Sequence, residues 1–153
     1  MDQKTAELKT LFNERFGIDC GIDEAGRGSW AGPVVAAAVV LPKNFYLESL
    51  DDSKKLSKTK RKLLSEYIKK NSEWAVGKAS VKEIEKMNIL FASLLAMKRA
   101  IKKLKKKPSY ILVDGNRSPK IKNYKIKSII KGDQKIPSIS AASIIAKVTR
   151  DKI

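Results

Sequence analysis

Two adjacent acidic residues, Asp23 and Glu24, follow a short apolar run over residues 18–22 that has the composition of a β-strand. Burying two neighbouring negative charges costs on the order of several kcal/mol for each charge unless something offsets it. A divalent cation is the simplest compensation. A strand followed by an ordinary polar turn is the alternative interpretation of an isolated Asp-Glu pair.

A glycine-flanked arginine comes directly after the acids, at Gly26, Arg27 and Gly28. Glycines allow close approach of a ligand to the backbone and leave N–H donors accessible. The arginine adds a fixed positive charge. This combination suits a phosphodiester chain lying beside a metal ion, so the three residues are candidate substrate contacts.

The residue types that are absent restrict the possible chemistry. The chain has no histidine and a single cysteine, Cys20. An internal disulfide, a cysteine zinc cluster, imidazole metal ligands and a histidine general base are therefore excluded. Carboxylates, lysines and hydroxyls remain, and a metal held by oxygen ligands alone fits Mg²⁺ or Mn²⁺ better than Zn²⁺ or Cu²⁺.

The charge balance indicates a polyanionic partner. Thirty-three Lys and Arg oppose 16 Asp and Glu, a net charge of +17 that favours nucleic acid, with a generally lysine-rich proteome as the alternative explanation. Seven of the basic residues lie within residues 98–107, either as the solvated end of a helix or as substrate contacts. No signal peptide or spanning helix is predicted, so we expect a cytoplasmic protein without membrane contact.

Periodicity and turn residues predict a single α/β domain of 153 residues. Strands are expected over residues 18–23, 34–41, 74–80, 110–113 and 125–130, and helices near Thr5 and over 58–70, 81–86, 89–104 and 138–151, with Asn88 capping the fourth of these helices. The first two strands are predicted to be antiparallel, whereas strands and helices alternate from residue 74 onward. We therefore predict a mixed sheet with helices on its faces.

Acidic residues recur at the ends of predicted strands. Asp114 and Asp133 each follow an apolar run, as Asp23 and Glu24 do. Strand ends within one sheet can bring such residues together, and clustered acids repel one another unless cations join them. Two ions about 4 Å apart could orient a water molecule and stabilise a phosphate undergoing attack. The alternative is that each later acid belongs to an ordinary Asx-Gly turn.

Two nucleotide-binding patterns are excluded by their context. The glycines at 26 and 28 with Ala31 satisfy a loose dinucleotide pattern, but Pro33 and a β-branched run follow where a helix is needed. The glycines at 21 and 26 lack the Lys-Ser/Thr pair of a P-loop.

Six segments, in this order along the chain, resemble ribonuclease HII, the type 2 ribonuclease H family. They are GIDEAGRG at 21–28, AGPVVAAA at 31–38, DSKKL at 52–56, LVDG at 112–115, KGDQ at 131–134 and SAASIIAKVTRD at 140–151. The resemblance extends from residue 17 to the last residue.

The resemblance implies a ribonuclease H-like fold and an endonuclease that cuts RNA paired to DNA, including single ribonucleotides embedded in duplex DNA. Two Mg²⁺ or Mn²⁺ ions would activate water and leave a 3′-hydroxyl and a 5′-phosphate. The family's metal-binding acids match Asp23, Glu24, Asp114 and Asp133. Gly26, Arg27 and Gly28 match the segment that contacts the ribose 2′-hydroxyl, and Lys54 would touch the substrate backbone.

The C-terminal end departs from the family pattern. Family members continue for several tens of residues beyond the segment matching Asp151, and a tyrosine there packs on the ribonucleotide, whereas this sequence stops at Ile153. We therefore expect one monomeric catalytic domain over 1–153 without those helices, and we do not expect Asp151 to be a ligand. The alternative function is a nucleic-acid-binding protein with the same fold and little or no turnover.

Overall fold

The computed structural model describes residues 19–26, 32–42 and 56–153. Its strands are β1 (Asp19–Ala25), β2 (Val34–Val40), β3 (Glu73–Ala79), β4 (Tyr110–Asp114) and β5 (Ile126–Ile129). Its helices are α1 (Lys58–Asn71), α2 (Val81–Lys103), α3 (Gly132–Lys135) and α4 (Pro137–Asp151). The helix predicted near Thr5 lies outside the described residues. Within the described part, none of the helices is long and apolar enough to cross a membrane.

The five strands form one mixed sheet in the order β3-β2-β1-β4-β5. β2 pairs antiparallel with both β1 and β3, whereas β4 pairs parallel with both β1 and β5. The predicted mixed α/β architecture is confirmed. Because β1, β3, β4 and β5 run in the same direction, their last residues lie at one edge of the sheet, which we call the C-terminal edge.

Both faces of the sheet are covered, because side chains of successive strand residues alternate between two cores. On one face, Ala37 and Val39 of β2 pack with α4 and with Ile68 of α1. On the opposite face, Ala36 and Ala38 pack with α2. These faces are called the α4 face and the α2 face.

Glycine residues allow β1 to contact the backbone of α4 on one face of the sheet, and β3 to contact the backbone of α2 on the other. A Cβ built on Gly21 of β1 would lie 2.2 Å from the carbonyl carbon of Ser138 in α4. A Cβ built on Gly77 of β3 would lie 2.2 Å from the carbonyl oxygen of Ala96 in α2. Real Cβ atoms do not approach backbone atoms so closely, so the helix–sheet distance on both faces depends on the missing side chain.

Helix α2 is interrupted at Asn88, as the predicted pair of helices required. Ser80 and Glu83 form a capping box at its start. Asn88 then leaves the helical conformation, at φ 72° and ψ 168°, and its Oδ1 accepts a hydrogen bond from the backbone N–H of Phe91 at 3.1 Å. Asn88 therefore caps the second half of the helix.

Several large apolar side chains of α1 and α2 are exposed or only half-buried. Leu63 and Tyr67 of α1 are 62% and 44% exposed, because the apolar side chains through which α1 joins the core on the α4 face are Ile68 and, partly buried, Leu64. In α2, small residues make the close contact with the sheet, so Leu94 and Leu95 remain half-buried at the side of the helix.

Candidate metal centre

Two of the predicted acids are brought together by strand pairing. β1 and β4 are parallel neighbours with Ile22 opposite Val113, so Asp23 and Asp114 come next at the C-terminal edge. Asp23 pairs with Ala37 of β2, whose side chain belongs to the α4 face. Leu112, two residues before Asp114, belongs to the same face. Both carboxylates therefore point to the α4 side of the sheet.

The third acid, Asp133, arrives by a turn into a short helix. After β5, Lys131 adopts a left-handed conformation, at φ 56° and ψ 36°, and the chain enters α3. The backbone N–H of Asp133 donates to Oδ1 of Asp114 at 3.4 Å. A Cβ on Gly132 would lie 2.6 Å from Cδ1 of Ile139 and 3.5 Å from Oδ1 of Asp114. The absence of a side chain at Gly132 therefore lets the backbone pass close to both residues. The sequence predicted Asp133 at a strand end; the structure places it in the first turn of α3.

The three aspartates form a compact cluster of oxygen ligands. One carboxylate oxygen from each of Asp23, Asp114 and Asp133 lies within 4.8 Å of the other two. Asp23 and Asp133 are only 7% and 6% exposed, and Asp114 is half-buried. An all-oxygen, negatively charged donor set at this spacing fits a hard divalent cation such as Mg²⁺ or Mn²⁺.

The electrostatics of the cluster also favour a cation. Burial is the largest cause that raises the pKa of Asp23 well above its usual value, followed by the charges of Asp114 and Glu24. Burial and then the charge of Asp133 raise the pKa of Asp114. A hydrogen bond from the backbone N–H of Glu24 to Oδ1 of Asp23, at 2.8 Å, opposes these effects only in part. Ionising Asp23 and Asp114 together is therefore unfavourable without added positive charge.

The fourth predicted acid, Glu24, lies at the same edge but is not one of the three clustered acids. It pairs with Ala36 of β2, which belongs to the α2 face, so the strand directs Glu24 to the opposite side from Asp23. Its charge nevertheless raises the pKa of Asp23. Metal binding by Glu24 stays a prediction.

The predicted substrate contacts are only partly described. Arg27, Gly28 and Lys54 lie outside the described residues. Gly26 is described, and its φ of +101° favours glycine. It lies two residues beyond Glu24, just past the end of β1.

Arg150 of α4 lies beside the same glycine and was not assigned a role from the sequence. A Cβ on Gly26 would lie 2.9 Å from Nε of Arg150, and a Cβ on Gly32 would lie 2.7 Å from its Nη2. Both glycines thus make room for one guanidinium group. The only signal in the sequence was the position of Arg150 within the last segment of the family resemblance.

The raised pKa values predict a stability that depends on pH and metal. Between the unfolded-state pKa near 4 and the higher folded-state pKa, the folded protein binds more protons than the unfolded chain, so its stability falls as pH rises through this window. With a chelator present, the Tm of the wild type should fall as pH rises through this window, and the Tm of Asp23→Asn should fall less. Mg²⁺ or Mn²⁺ should raise the Tm of the wild type more at about pH 7 than at about pH 4, because the ligands must be deprotonated. Calorimetry that finds the same pH profile and metal shift in the variant contradicts this prediction.

Comparison with known proteins connects this geometry to one family. Residues 20–153 match the family model described as Ribonuclease HII. The ribonuclease HII of Pelagibacter ubique (strain HTCC1062) is 68% identical over 135 residues, which are 88% of this chain and 73% of the relative. The ribonuclease HII of Dechloromonas aromatica (strain RCB) is 54% identical over 136 residues, covering 88% of this chain and 69% of the relative.

A solved structure supports the same relationship. The ribonuclease H2 from Pyrococcus horikoshii OT3 superposes with a TM-score of 0.74 at 32% sequence identity, over 88% of this chain and 72% of that chain. The arrangement of a mixed sheet between helices is thus shared with a ribonuclease H structure.

Proposed function

Because this chain belongs to the ribonuclease HII family, a family of metal-dependent endoribonucleases, we propose that it hydrolyses the RNA strand of RNA/DNA hybrids and cuts duplex DNA at embedded ribonucleotides. The proposed products end in a 3′-hydroxyl and a 5′-phosphate. The observation that carries the proposal is the convergence of Asp23, Asp114 and Asp133 at the C-terminal edge of the sheet.

We assign metal binding to Asp23, Glu24, Asp114 and Asp133, with Mg²⁺ or Mn²⁺ as the ion and two ions during turnover. When bound, such ions lower the pKa of an attacking water and neutralise negative charge on the reacting phosphate. The protein contributes rigidity. The parallel ladder fixes Asp23 beside Asp114, and the N–H of Asp133 fixes the Asp114 carboxylate, so the ligands need little reorganisation.

Selection of RNA over DNA is assigned to Gly26, Arg27 and Gly28. The 2′-hydroxyl is the group that distinguishes a ribonucleotide, and exposed backbone donors beside a glycine can bind it at short range. In support, Gly26 lies two residues beyond Glu24, close to the acids. Lys54 is proposed to contact the substrate backbone, and the net charge of +17 supports binding of a nucleic-acid duplex.

A duplex containing one ribonucleotide tests this proposal. With Mg²⁺ or Mn²⁺, we expect cleavage at the ribonucleotide, with the stated termini identified by end-labelling. A matched all-DNA duplex should be cut at least about a hundredfold more slowly, because a site that hydrogen-bonds a hydroxyl strongly rejects an analogue without it.

Two other outcomes of this assay would each have a definite meaning. Equal cutting of the all-DNA duplex would contradict the role of Gly26, Arg27 and Gly28. Salt-dependent binding that never yields product would support a nucleic-acid-binding protein without turnover.

A further inference from the structure

A groove of about 780 Å³ lies between the middle of α2 and the chain that follows β4. Its lining includes Phe91, Leu94, Leu95 and Lys98 from α2 and Arg117 and Lys120 from the chain after β4. The activity proposed above requires no residue of this groove. We call it the α2 groove.

The α2 groove opens from the same edge of the sheet as the clustered acids. β3 ends at the C-terminal edge, so α2, which follows it directly, starts there and runs away from it. Arg117 follows Asp114 by only three residues. Glu24 also lies at this edge and faces the α2 side. The lining of the groove therefore begins close to the C-terminal edge, on the side of the sheet opposite Asp23.

The polar side of the groove is positively charged. Lys98 is half-buried, whereas Arg117 and Lys120 are exposed. In the described ranges, none of these three side chains forms an ion pair or hydrogen bond with another residue. No acidic side chain from those ranges lines the groove. Like charges held together in a concave surface produce a positive potential that attracts an anion.

The other side of the groove is apolar. Phe91 is 57% exposed, and the half-buried Leu94 and Leu95 continue its surface. An apolar surface alone would suit many partners. A nucleic-acid strand matches both sides, because its phosphates bind cations while its sugars present an apolar surface.

We propose that the α2 groove binds a nucleic-acid strand of the substrate that flanks the cleaved bond, with Lys98, Arg117 and Lys120 contacting phosphates and Phe91 packing against a sugar. This proposal rests on the function proposed above. It adds a binding surface on the α2 face, opposite the α4 face on which the three aspartates lie.

Binding measured without cleavage tests the α2 groove. Fluorescence anisotropy with the ribonucleotide-containing duplex is recorded in chelator at several KCl concentrations. For the triple variant Lys98→Ala, Arg117→Ala and Lys120→Ala, we expect the slope of log K against log salt to fall in magnitude by about one for each side chain, since each phosphate contact releases counterions. We expect affinity at low salt to fall about tenfold or more.

A matched control removes the same charge from the other face. Lys60, Lys62 and Lys70 are exposed on α1, which packs against α4 on the α4 face. Their triple alanine variant should change the slope by less than one. Phe91→Ala should weaken binding severalfold and leave the slope unchanged, because it removes no charge.

The outcomes separate the α2 groove from general electrostatics and from the proposed activity. Equal losses in the groove and control triples, or an unchanged groove triple, would overturn the proposal, as would Phe91→Ala binding like the wild type. Absence of cleavage by the wild type would count against the proposed function but would leave these binding differences measurable. Circular dichroism and Tm values confirm that each variant is folded.

Discussion

Asp114→Asn is expected to abolish cleavage, lowering kcat by about a thousandfold or more. Losing only an outer hydrogen-bonding partner of a metal ligand typically costs about 10–100-fold, so losing a charged ligand should cost more. Asp114 is central to the cluster because it lies beside Asp23 and accepts the N–H of Asp133. Asparagine keeps the size and the acceptor oxygen but removes the charge, so steady-state kinetics of the variant isolate the electrostatic contribution.

The same variant should not lose stability. In chelator at neutral pH, Asp114→Asn removes a negative charge that raises the pKa of Asp23, so its Tm should equal or exceed that of the wild type. Asp151→Asn is the matched control, because Asp151 is exposed at the end of α4 and pairs with Arg61 at 3.9 Å. The control should cleave normally. Wild-type cleavage by Asp114→Asn, or a large fall in its Tm, would refute the assignment.

Gly21→Ala is expected to destabilise the fold by about 3 kcal/mol or more. The added methyl would lie 2.2 Å from the carbonyl carbon of Ser138 and 2.3 Å from the backbone nitrogen of Ile139. Backbone atoms cannot rotate away, so β1 and α4 must separate. Asp23 lies two residues further along β1, and we expect the metal centre to be displaced with it. Urea denaturation followed by circular dichroism measures the change.

Gly115→Ala provides a control for the backbone conformation of glycine. Gly115 has a φ of +108°, but nothing lies within 4 Å of its missing Cβ. Its replacement should cost only conformational strain, about 1–2 kcal/mol. If Gly21→Ala yields no soluble protein while Gly115→Ala does, the packing explanation is supported. Equal stability of the two variants would contradict it.

Local patterns in the sequence were sufficient for most of the secondary structure. The α-helical and β-strand periods, the Asn88 cap and Pro137 at the start of α4 depend on neighbouring residues, so the main elements were predicted to within a few residues. Composition was equally informative about chemistry. Without histidine, clustered carboxylates form a site that fits a hard cation better than Zn²⁺ or Cu²⁺.

Contacts between distant residues were decided by the tertiary structure. The register of β1 against β4 and the turn at Lys131 bring three aspartates onto one face, while the pleat directs Glu24 to the other. The close helix contacts at Gly21 and Gly77, and the approach of Arg150 to Gly26, had no local signal. Residue type and spacing along the chain therefore determined the elements and the kind of metal site. Strand register and the packing distance between sheet and helix, which depend on side chains far apart in sequence, determined which acids meet.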